Sequence, residues 1–285
     1  MSFSCIPSSA LKKEKPLENT KNTLNYKVYD RPGKKMSQDE LQKFHRELLD
    51  VAKTCLDEIP DYQCLSGRKE EFDRLIISVV RNESGKMLGF CSSYILDGGE
   101  LGNIFHLGLT CVRPEGRGLK FTHTLTSKVV QHFLFKYSLF KPSWVTNVAC
   151  VLSSLGNVSM YFDDVYPSPA VKAPCPEQMK VATLINLKYR NELYVSSKAN
   201  FNKETFVFEE SVLGNMFQKE AFDKRYLHRN NDLNNYFRNL MNFERGDEVL
   251  QVGKVSLLTF PSYFLRKIKM RFFSSFPKFI SLPTN

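Results

Sequence analysis

Residues 111–134 read CVRPEGRGLKFTHTLTSKVVQHFL. An apolar stretch leads into the loop Arg113–Gly118, and the apolar residues that follow recur at helical spacing. The pattern predicts a strand, a glycine-containing loop and a helix, in that order. A helix N-terminus presents free N–H groups and positive potential, and glycines let backbone amides converge on an oxyanion. Arg117 and Lys120 add charge, so the segment suits a phosphate or a diphosphate; the alternative is a glycine turn with solvated cations.

The composition is that of a globular chain with a preference for anionic partners. It has 285 residues, 42% hydrophobic and 25% charged, and a formal charge of +10. The charge favours phosphorylated cofactors, nucleic acid or an acidic membrane surface. Seven cysteines without a C-x-x-C pair argue against zinc and against a disulfide framework, and they predict reduced thiols in a cytoplasmic protein. We see no segment of transmembrane or signal-peptide length. We predict no metal site, because His123 and His132 are not adjacent on their helix.

The first half of the chain alternates strand and helix signals. Ser37 is a good N-cap for a helix reaching about Leu56, a second helix follows the glycine loop, and a short helical piece precedes Tyr166. The predicted strands are Asn25–Asp30, Leu75–Val80, Met87–Leu96, Ile104–Val112 and Trp144–Leu152. This order predicts an α/β (α+β) fold, a mixed sheet with helices on its faces.

The second half gives weaker signals. Lys180–Tyr189 and Tyr194–Ser196 fit strands, Val212–Met241 fits a helix interrupted near residue 230, and Val249–Thr259 fits a late strand that could complete the sheet. We therefore divide the chain into a flexible N-terminal arm (1–24), one domain (25–263) and a basic aromatic tail (264–285). Within the domain, residues 25–170 carry the motifs and residues 171–263 are an elaboration.

The opening stretch resembles the acyl-CoA binding motif of the GCN5-related N-acetyltransferase (GNAT) superfamily, roughly V-x-P-x-x-R-G-x-G-x-G/A before a helix. Val112, Pro114, Arg117 and Gly118 match. Lys120 replaces the second glycine of the motif, and Thr122 replaces the third small residue. A second register, Arg113-x-x-Gly116-x-Gly118, fits the R-x-x-G-x-G core alone.

A second segment is similar to the family's N-x-x-A-x-x-x-Y pattern, which is followed by a stretch ending in G-F. Tyr161 stands at the tyrosine and Tyr166 at the final aromatic. Ser154 replaces the asparagine, Asn157 the alanine and Val165 the glycine. The two motifs and the order of elements cover about residues 25–170.

The resemblance implies a GNAT-like mixed, mostly antiparallel sheet flanked by helices, with a C-terminal extension. It implies acyl transfer from an acyl-CoA co-substrate, with acetyl-CoA expected, to an amine of a small molecule or polypeptide. The sheet should splay next to Val112, and the amides of residues 117–122 should hold the diphosphate. The cofactor-binding residues that it implies are Val112, Arg113, Arg117, Gly118, Leu119, Lys120, Phe121 and Thr122.

The resemblance also implies catalytic roles. Tyr161 would protonate the departing thiolate, since the pKa values of phenols and thiols are close; the alternative is a core aromatic residue. The base that takes the amine proton, directly or through water, would be Glu100 or His106. The alternatives are turn solvation for Glu100 and a satisfied core histidine for His106. Cys111 and Cys150 lie in predicted strands and are read as inert core thiols.

Two rival functions remain open at this level. Lys120, Ser154 and Val165 depart from the family pattern, which favours a non-catalytic protein that kept the fold for binding or interaction. The tail at 264–285 mixes cations with large apolar side chains, a combination that suits an acidic membrane or an RNA backbone. The alternative for the tail is that its apolar face packs on the domain.

Overall fold

The computed structural model describes residues 24–257. The predicted arm, apart from Leu24, and the predicted tail lie outside the described residues. Nine strands are described: β1 Asn25–Asp30, β2 Leu75–Arg81, β3 Met87–Asp97, β4 Asn103–Val112, β5 Ser143–Ala149, β6 Asp163–Tyr166, β7 Asn200–Asn202, β8 Val207–Glu209 and β9 Glu248–Val255. The helices are α1 Pro32–Lys35, α2 Gln38–Ala52, α3 Lys69–Phe72, α4 Phe121–Tyr137, α5 Leu152–Tyr161, α6 Pro176–Lys188 and α7 Asn231–Leu240.

The strands between residues 25 and 255 form one mixed sheet. Its order is β1-β2-β3-β4-β5-β9-β8-β7, and β6 also pairs with β9. All described strand pairs are antiparallel except β4 with β5, which is parallel. The mostly antiparallel mixed sheet expected from the sequence is therefore confirmed, and the late strand is a central strand beside β5.

Helices cover both faces of the sheet. On one face α2 and α6 pack through buried side chains such as Leu48 and Val181. On the other face α4 packs through Leu125 and Phe133. Ser37 caps α2 in a reciprocal capping box with Glu40, as the polar residues before the apolar repeat predicted. The domain thus buries two apolar layers, one on each side of the sheet.

The parallel pair β4–β5 stays in register only over its first half. Residues 104–107 of β4 pair with residues 144–147 of β5, and the β4 residues beyond Leu107 have no β5 partner in this register. On its other side, β4 carries an irregularity: Cys91 pairs with Thr110, but Ser93 pairs with Leu107, so β4 has one extra residue there. The two strands therefore part beside the residues leading to Val112, as the resemblance predicted.

Parts of the region after residue 170 differ from the sequence-based expectation. The stretch Lys180–Tyr189 lies mostly in α6, not in a strand, because Cys175 and Gln178 form a capping box and Pro176 opens the helix. Residues 194–196 form no strand. Of the helix expected over 212–241, only α7 forms, preceded by turns and a short 3₁₀ segment.

Candidate active site

The loop between β4 and α4 begins with a tight turn. Pro114–Gly116 form a 3₁₀ turn, closed by a hydrogen bond from the Gly116 amide to the Arg113 carbonyl (2.9 Å). A Cβ at Gly116 would lie 2.9 Å from the Phe121 ring and 3.0 Å from Val112 Cγ1. Gly116 is thus required by packing inside the loop. This corrects the interpretation that it clears space for a ligand.

Gly118 and Lys120 turn the chain into the helix. Gly118 has φ +80° and Lys120 has φ +61°, both left-handed, and a Cβ on Gly118 would meet no atom within 4 Å. Helix α4 begins at Phe121, and no side chain caps its N-terminus. The first amides of a helix have no acceptor within the helix, and they carry the positive end of its dipole. The amides of Arg117 and Leu119 already donate to the Pro114 carbonyl (3.1 Å) and the Gly116 carbonyl (3.4 Å) within the loop. The expectation that all amides of 117–122 hold the diphosphate is therefore corrected to Gly118 and residues 120–122.

The side chains of the loop divide between structural and accessible positions. Arg113 Nε donates to the Met87 carbonyl (2.9 Å), which anchors the loop to β3. Arg117 and Lys120 are exposed, so their charges are available to an anion at the helix mouth. Phe121, the first residue of α4, is buried, whereas Leu119 is 59% exposed. Thr122 is exposed in the first turn of α4.

Tyr161 lies beside this helix mouth. It is the last residue of α5, and its ring stands 5.7 Å, centroid to centroid, from that of His123, the third residue of α4. The Tyr161 hydroxyl accepts a hydrogen bond from Arg229 Nη2 (2.7 Å). Arg229 precedes α7, in the part of the chain that carries no recognisable motif. The structure therefore brings the predicted acid and the predicted phosphate loop together.

His106 lies at the last paired positions before β4 and β5 part. Its Nδ1 is 2.9 Å from Thr146 Oγ1 on β5, and the side chain is 1% exposed. Burial lowers the pKa of His106 to about 3, because the charged imidazolium loses its hydration, so the ring is neutral at physiological pH. This is the environment of the satisfied core histidine that the sequence left as an alternative.

Glu100 is not brought to the site. It lies exposed in a 3₁₀ turn, Gly99–Leu101, between β3 and β4. Strand β4 then runs ten residues to Val112, a span of ~30 Å at about 3.3 Å per residue. The expectation that Glu100 acts as the base is therefore not supported by its position.

Sequence reasoning missed Gln63, which lies at the irregularity between β3 and β4. It is fully buried, with φ +49°, and its Oε1 accepts hydrogen bonds from Ser92 Oγ and from the Leu109 amide (3.3 Å). A Cβ on Gly108 would overlap the Gln63 amide group. Gln63 thus fills the irregularity in β4, and the nearby glycine is required for it to fit. Its loop carries no local signature, so only the tertiary structure reveals the contact.

Gln63 is hydrogen-bonded to a tyrosine that belongs to a group of aromatic side chains. Gln63 Nε2 donates to the Tyr62 hydroxyl (2.9 Å). The Tyr62 ring lies 5.9 Å from Tyr194 and 6.3 Å from Phe217. Burial raises the pKa of Tyr62, so its phenol stays neutral. These contacts join the loop that carries Gln63 to Tyr194 and Phe217 in the region after residue 170.

Two absences hold for the part of the chain that is described. Between residues 24 and 257, no helix combines the length and apolar character that a membrane span requires. Within the same range, no group of three or more His, Cys, Asp or Glu side chains is placed to hold a metal ion.

Comparison with known proteins gives structural neighbours. No family model matches the chain, and a search of curated proteins gives no match. One similar solved structure is a GCN5-related glucosamine N-acetyltransferase region of a fungal multi-domain GH3 β-N-acetylglucosaminidase (TM-score 0.30, 16% identity, 44% of this chain and 13% of that chain). A second is the aminoglycoside N-acetyltransferase AAC(6')-Iy in complex with CoA (TM-score 0.29, 19% identity, 40% of this chain and 72% of that one). A third is glucosamine-6-phosphate N-acetyltransferase from Arabidopsis thaliana (TM-score 0.27, 17% identity, 44% and 81%). The names of all three include N-acetyltransferase.

Proposed function

We propose that this chain is an acyl-CoA-dependent N-acyltransferase that uses acetyl-CoA and acylates an amine. The observation that carries the proposal is the uncapped N-terminus of α4, reached through left-handed backbone at Gly118 and Lys120, beside the point where β4 and β5 part. We further propose a cytoplasmic setting, supported by the free thiols of the six described cysteines.

The residues of the loop fit the diphosphate of CoA. The amides of Gly118, Lys120, Phe121 and Thr122 stand at the helix mouth, where donors and dipole both favour an anion. Arg117 adds an exposed guanidinium, which can bind phosphate oxygens in a bidentate manner. Lys120 adds positive charge at the position where the family has glycine. Its side chain is exposed, and in this proposal it does not cover the backbone amides that bind the diphosphate.

The chemistry that Tyr161 would perform is proton donation. A bound acyl-CoA supplies the acyl group and the thiolate that leaves when an amine attacks the carbonyl carbon. Tyr161 would protonate that thiolate; the pKa values of phenols and thiols are close, so the transfer is nearly balanced. The Arg229 guanidinium donates to the Tyr161 oxygen (2.7 Å) and holds the phenol beside the helix mouth. We retain neither base that the resemblance implied: Glu100 lies away from the loop, and His106 is buried, with a pKa that burial lowers to about 3, so it is too weak a base.

One observation favours a second candidate function, a non-catalytic binding protein with this fold. On the face of the sheet opposite α4, Gln63 accepts hydrogen bonds from the Leu109 amide and from Ser92 Oγ at the irregularity between β3 and β4. A side chain in that place competes with any group that approaches β4 from the same face. The proposal that residues 264–285 contact a membrane or nucleic acid belongs to this alternative and concerns residues outside the described range.

Calorimetry with CoA and an amine-acylation assay distinguish the candidates. The enzyme proposal predicts that Arg117→Ala weakens CoA binding about tenfold, the loss of one charge-assisted phosphate contact. The matched control Arg225→Ala, an exposed arginine paired with Asp223, should leave binding unchanged. Tyr161→Phe should retain CoA binding and lose turnover on a panel of amines. CoA binding without turnover in the wild type supports the binding protein, and absence of CoA binding rejects the enzyme proposal.

A further inference from the structure

Two cysteines meet beside the phosphate loop. Cys55 follows α2, and its Sγ donates to the Val112 carbonyl (3.3 Å), the last residue of β4. Cys111 is the residue before Val112 and is 2% exposed. Both thiols lie on the α2 side of the sheet, where they interact with each other. Cys55 is half-buried and so is the member of the pair that a solute can reach.

The surroundings of Cys55 favour its thiolate. The Cys111 thiol interacts with the Cys55 sulfur, Thr54 Oγ1 lies 3.6 Å from it, and Arg117 adds positive charge. These groups outweigh burial and lower the pKa of Cys55 to about 6. Thiolates, not thiols, react with oxidants and electrophiles. Cys55 is therefore the nucleophilic member of the pair.

Cys111 shows the opposite behaviour as long as Cys55 is reduced. Its pKa is raised well above the ordinary value, first by the interaction with Cys55 and then by burial. The first cause depends on the negative charge of Cys55. Once the Cys55 sulfur is oxidised and neutral, that cause is removed, and Cys111 becomes easier to deprotonate.

We propose that Cys55 and Cys111 form a redox modification site, in which a peroxide oxidises Cys55 and Cys111 then closes a disulfide beside the phosphate loop. The Cys55 thiolate attacks one peroxide oxygen, the O–O bond breaks and hydroxide leaves, which gives a sulfenic acid. Cys111 then attacks the Cys55 sulfur, the S–O bond breaks, and hydroxide leaves with the proton of the Cys111 thiol. Two thiols and one hydrogen peroxide thus give one disulfide and two waters.

The site does not depend on the proposed acyl transfer. The disulfide would join Cys55, which follows α2, to Cys111 near the end of β4. Only Val112 separates Cys111 from Arg113, where the loop begins. We therefore expect oxidation to restrict the backbone at the start of the loop that leads to Gly118.

Mass spectrometry of the full chain tests the site. At pH 6 a thiol with pKa about 6 is about half thiolate, against about 0.3% for an ordinary thiol at 8.5. A thiolate with a lower pKa is also a weaker nucleophile, which reduces the expected rate advantage of Cys55 by about tenfold. Cys55 should thus react with iodoacetamide about tenfold faster than free N-acetylcysteine at pH 6. Cys175, the other half-buried cysteine, serves as the control for access.

Treatment with hydrogen peroxide should lower the mass of the wild-type chain by that of two hydrogen atoms. Peptide mapping should then find the peptides of Cys55 and Cys111 linked by a disulfide. Cys111→Ser should stop at oxidised Cys55, and Cys175→Ser should behave as wild type. A disulfide that uses another cysteine overturns the proposal. So does a Cys55 that alkylates no faster than the free thiol, a measurement that needs no variant to fold.

Discussion

Because its backbone is left-handed, Gly118 can be substituted in a test that measures stability and ligand binding separately. Gly118 has φ +80°, and a Cβ there would meet no atom within 4 Å, so Gly118→Ala changes only the backbone preference of the loop. Gly85 has φ +81° and equally open surroundings in the β2–β3 turn, which makes Gly85→Ala a matched control. Left-handed backbone costs a non-glycine residue about 1–2 kcal/mol, and the lost freedom of the unfolded chain offsets about 0.4–1 kcal/mol. Both variants should therefore lose about 1 kcal/mol.

The two variants should differ only toward CoA. A net loss of about 1 kcal/mol corresponds to a drop in Tm of about 2 °C for a chain of this size. We expect calorimetry to show about tenfold weaker CoA binding for Gly118→Ala, because part of the free protein relaxes out of the left-handed backbone and binding must restore it, and unchanged binding for Gly85→Ala. Equal CoA affinities for the two variants, at equal losses of stability, would refute the reasoning that the amides of Gly118 and residues 120–122 hold the phosphate.

Further predictions concern stability, local fit and charge. Burial raises the pKa of Glu248 to about 7, so the folded state holds a proton that the unfolded state releases above about 4.5. Its contribution to stability is therefore present below pH 4.5 and is lost toward pH 7, by about 3 kcal/mol at most. Glu248→Gln should remove that loss in denaturant titrations from pH 5 to 8, and an unchanged pH dependence would contradict it. Gly108→Ala should destabilise the protein by overlap with Gln63, and in a double-mutant cycle Gln63→Ala should recover about 1 kcal/mol or more; simple additivity would contradict the contact. Lys120→Gly should change stability by less than about 0.5 kcal/mol, because relieved left-handed strain and added unfolded-state freedom offset each other. The same change should weaken CoA binding less at high salt than at low salt, since the lost charge is exposed; a salt-independent loss would argue against a charge effect.

The longer elements before residue 162 were predictable because their signals are local. The short α1, α3 and β6 were not predicted, α2 ends at Ala52 rather than near Leu56, and β5 ends at Ala149 rather than Leu152. Ser37 with Glu40 marks the start of α2, and the alternation of Asn25–Asp30 marks β1, which has those bounds in the structure. The loop–helix junction followed from Gly118 and the apolar repeat after it. The signals of these features are local, so a single sequence carries them, although β1 itself forms by pairing with the distant β2.

The region after residue 170 shows where local reasoning fails. The apolar run in Lys180–Tyr189 suggested a strand, yet Val181 and Ile185 lie one helical turn apart and pack as one face of α6. The signal that could have corrected this was present in Cys175-Pro-Glu-Gln178, a capping sequence. Between 212 and 230 the chain follows turns whose contacts are with distant residues, such as Phe217 with Tyr62.

The site was predictable as a loop but not as a three-dimensional arrangement. Tyr161 was placed correctly beside the loop because its motif follows the next strand. Arg229 and Gln63 reach the site from segments without a motif, and only the packing of the chain brings them to Tyr161 and Leu109. Glu100 was chosen for its nearness in sequence to β4, but the length of that strand carries it away from the loop.

The central claim is that the backbone around Arg117 holds a diphosphate at the mouth of α4. The most direct measurement follows the amide NMR signals of the isotope-labelled protein during titration with CoA and, separately, with inorganic pyrophosphate. The account predicts saturable shifts for both ligands, largest at Gly118, Lys120, Phe121 and Thr122. Saturable shifts that are largest elsewhere, or none at these amides, would contradict it.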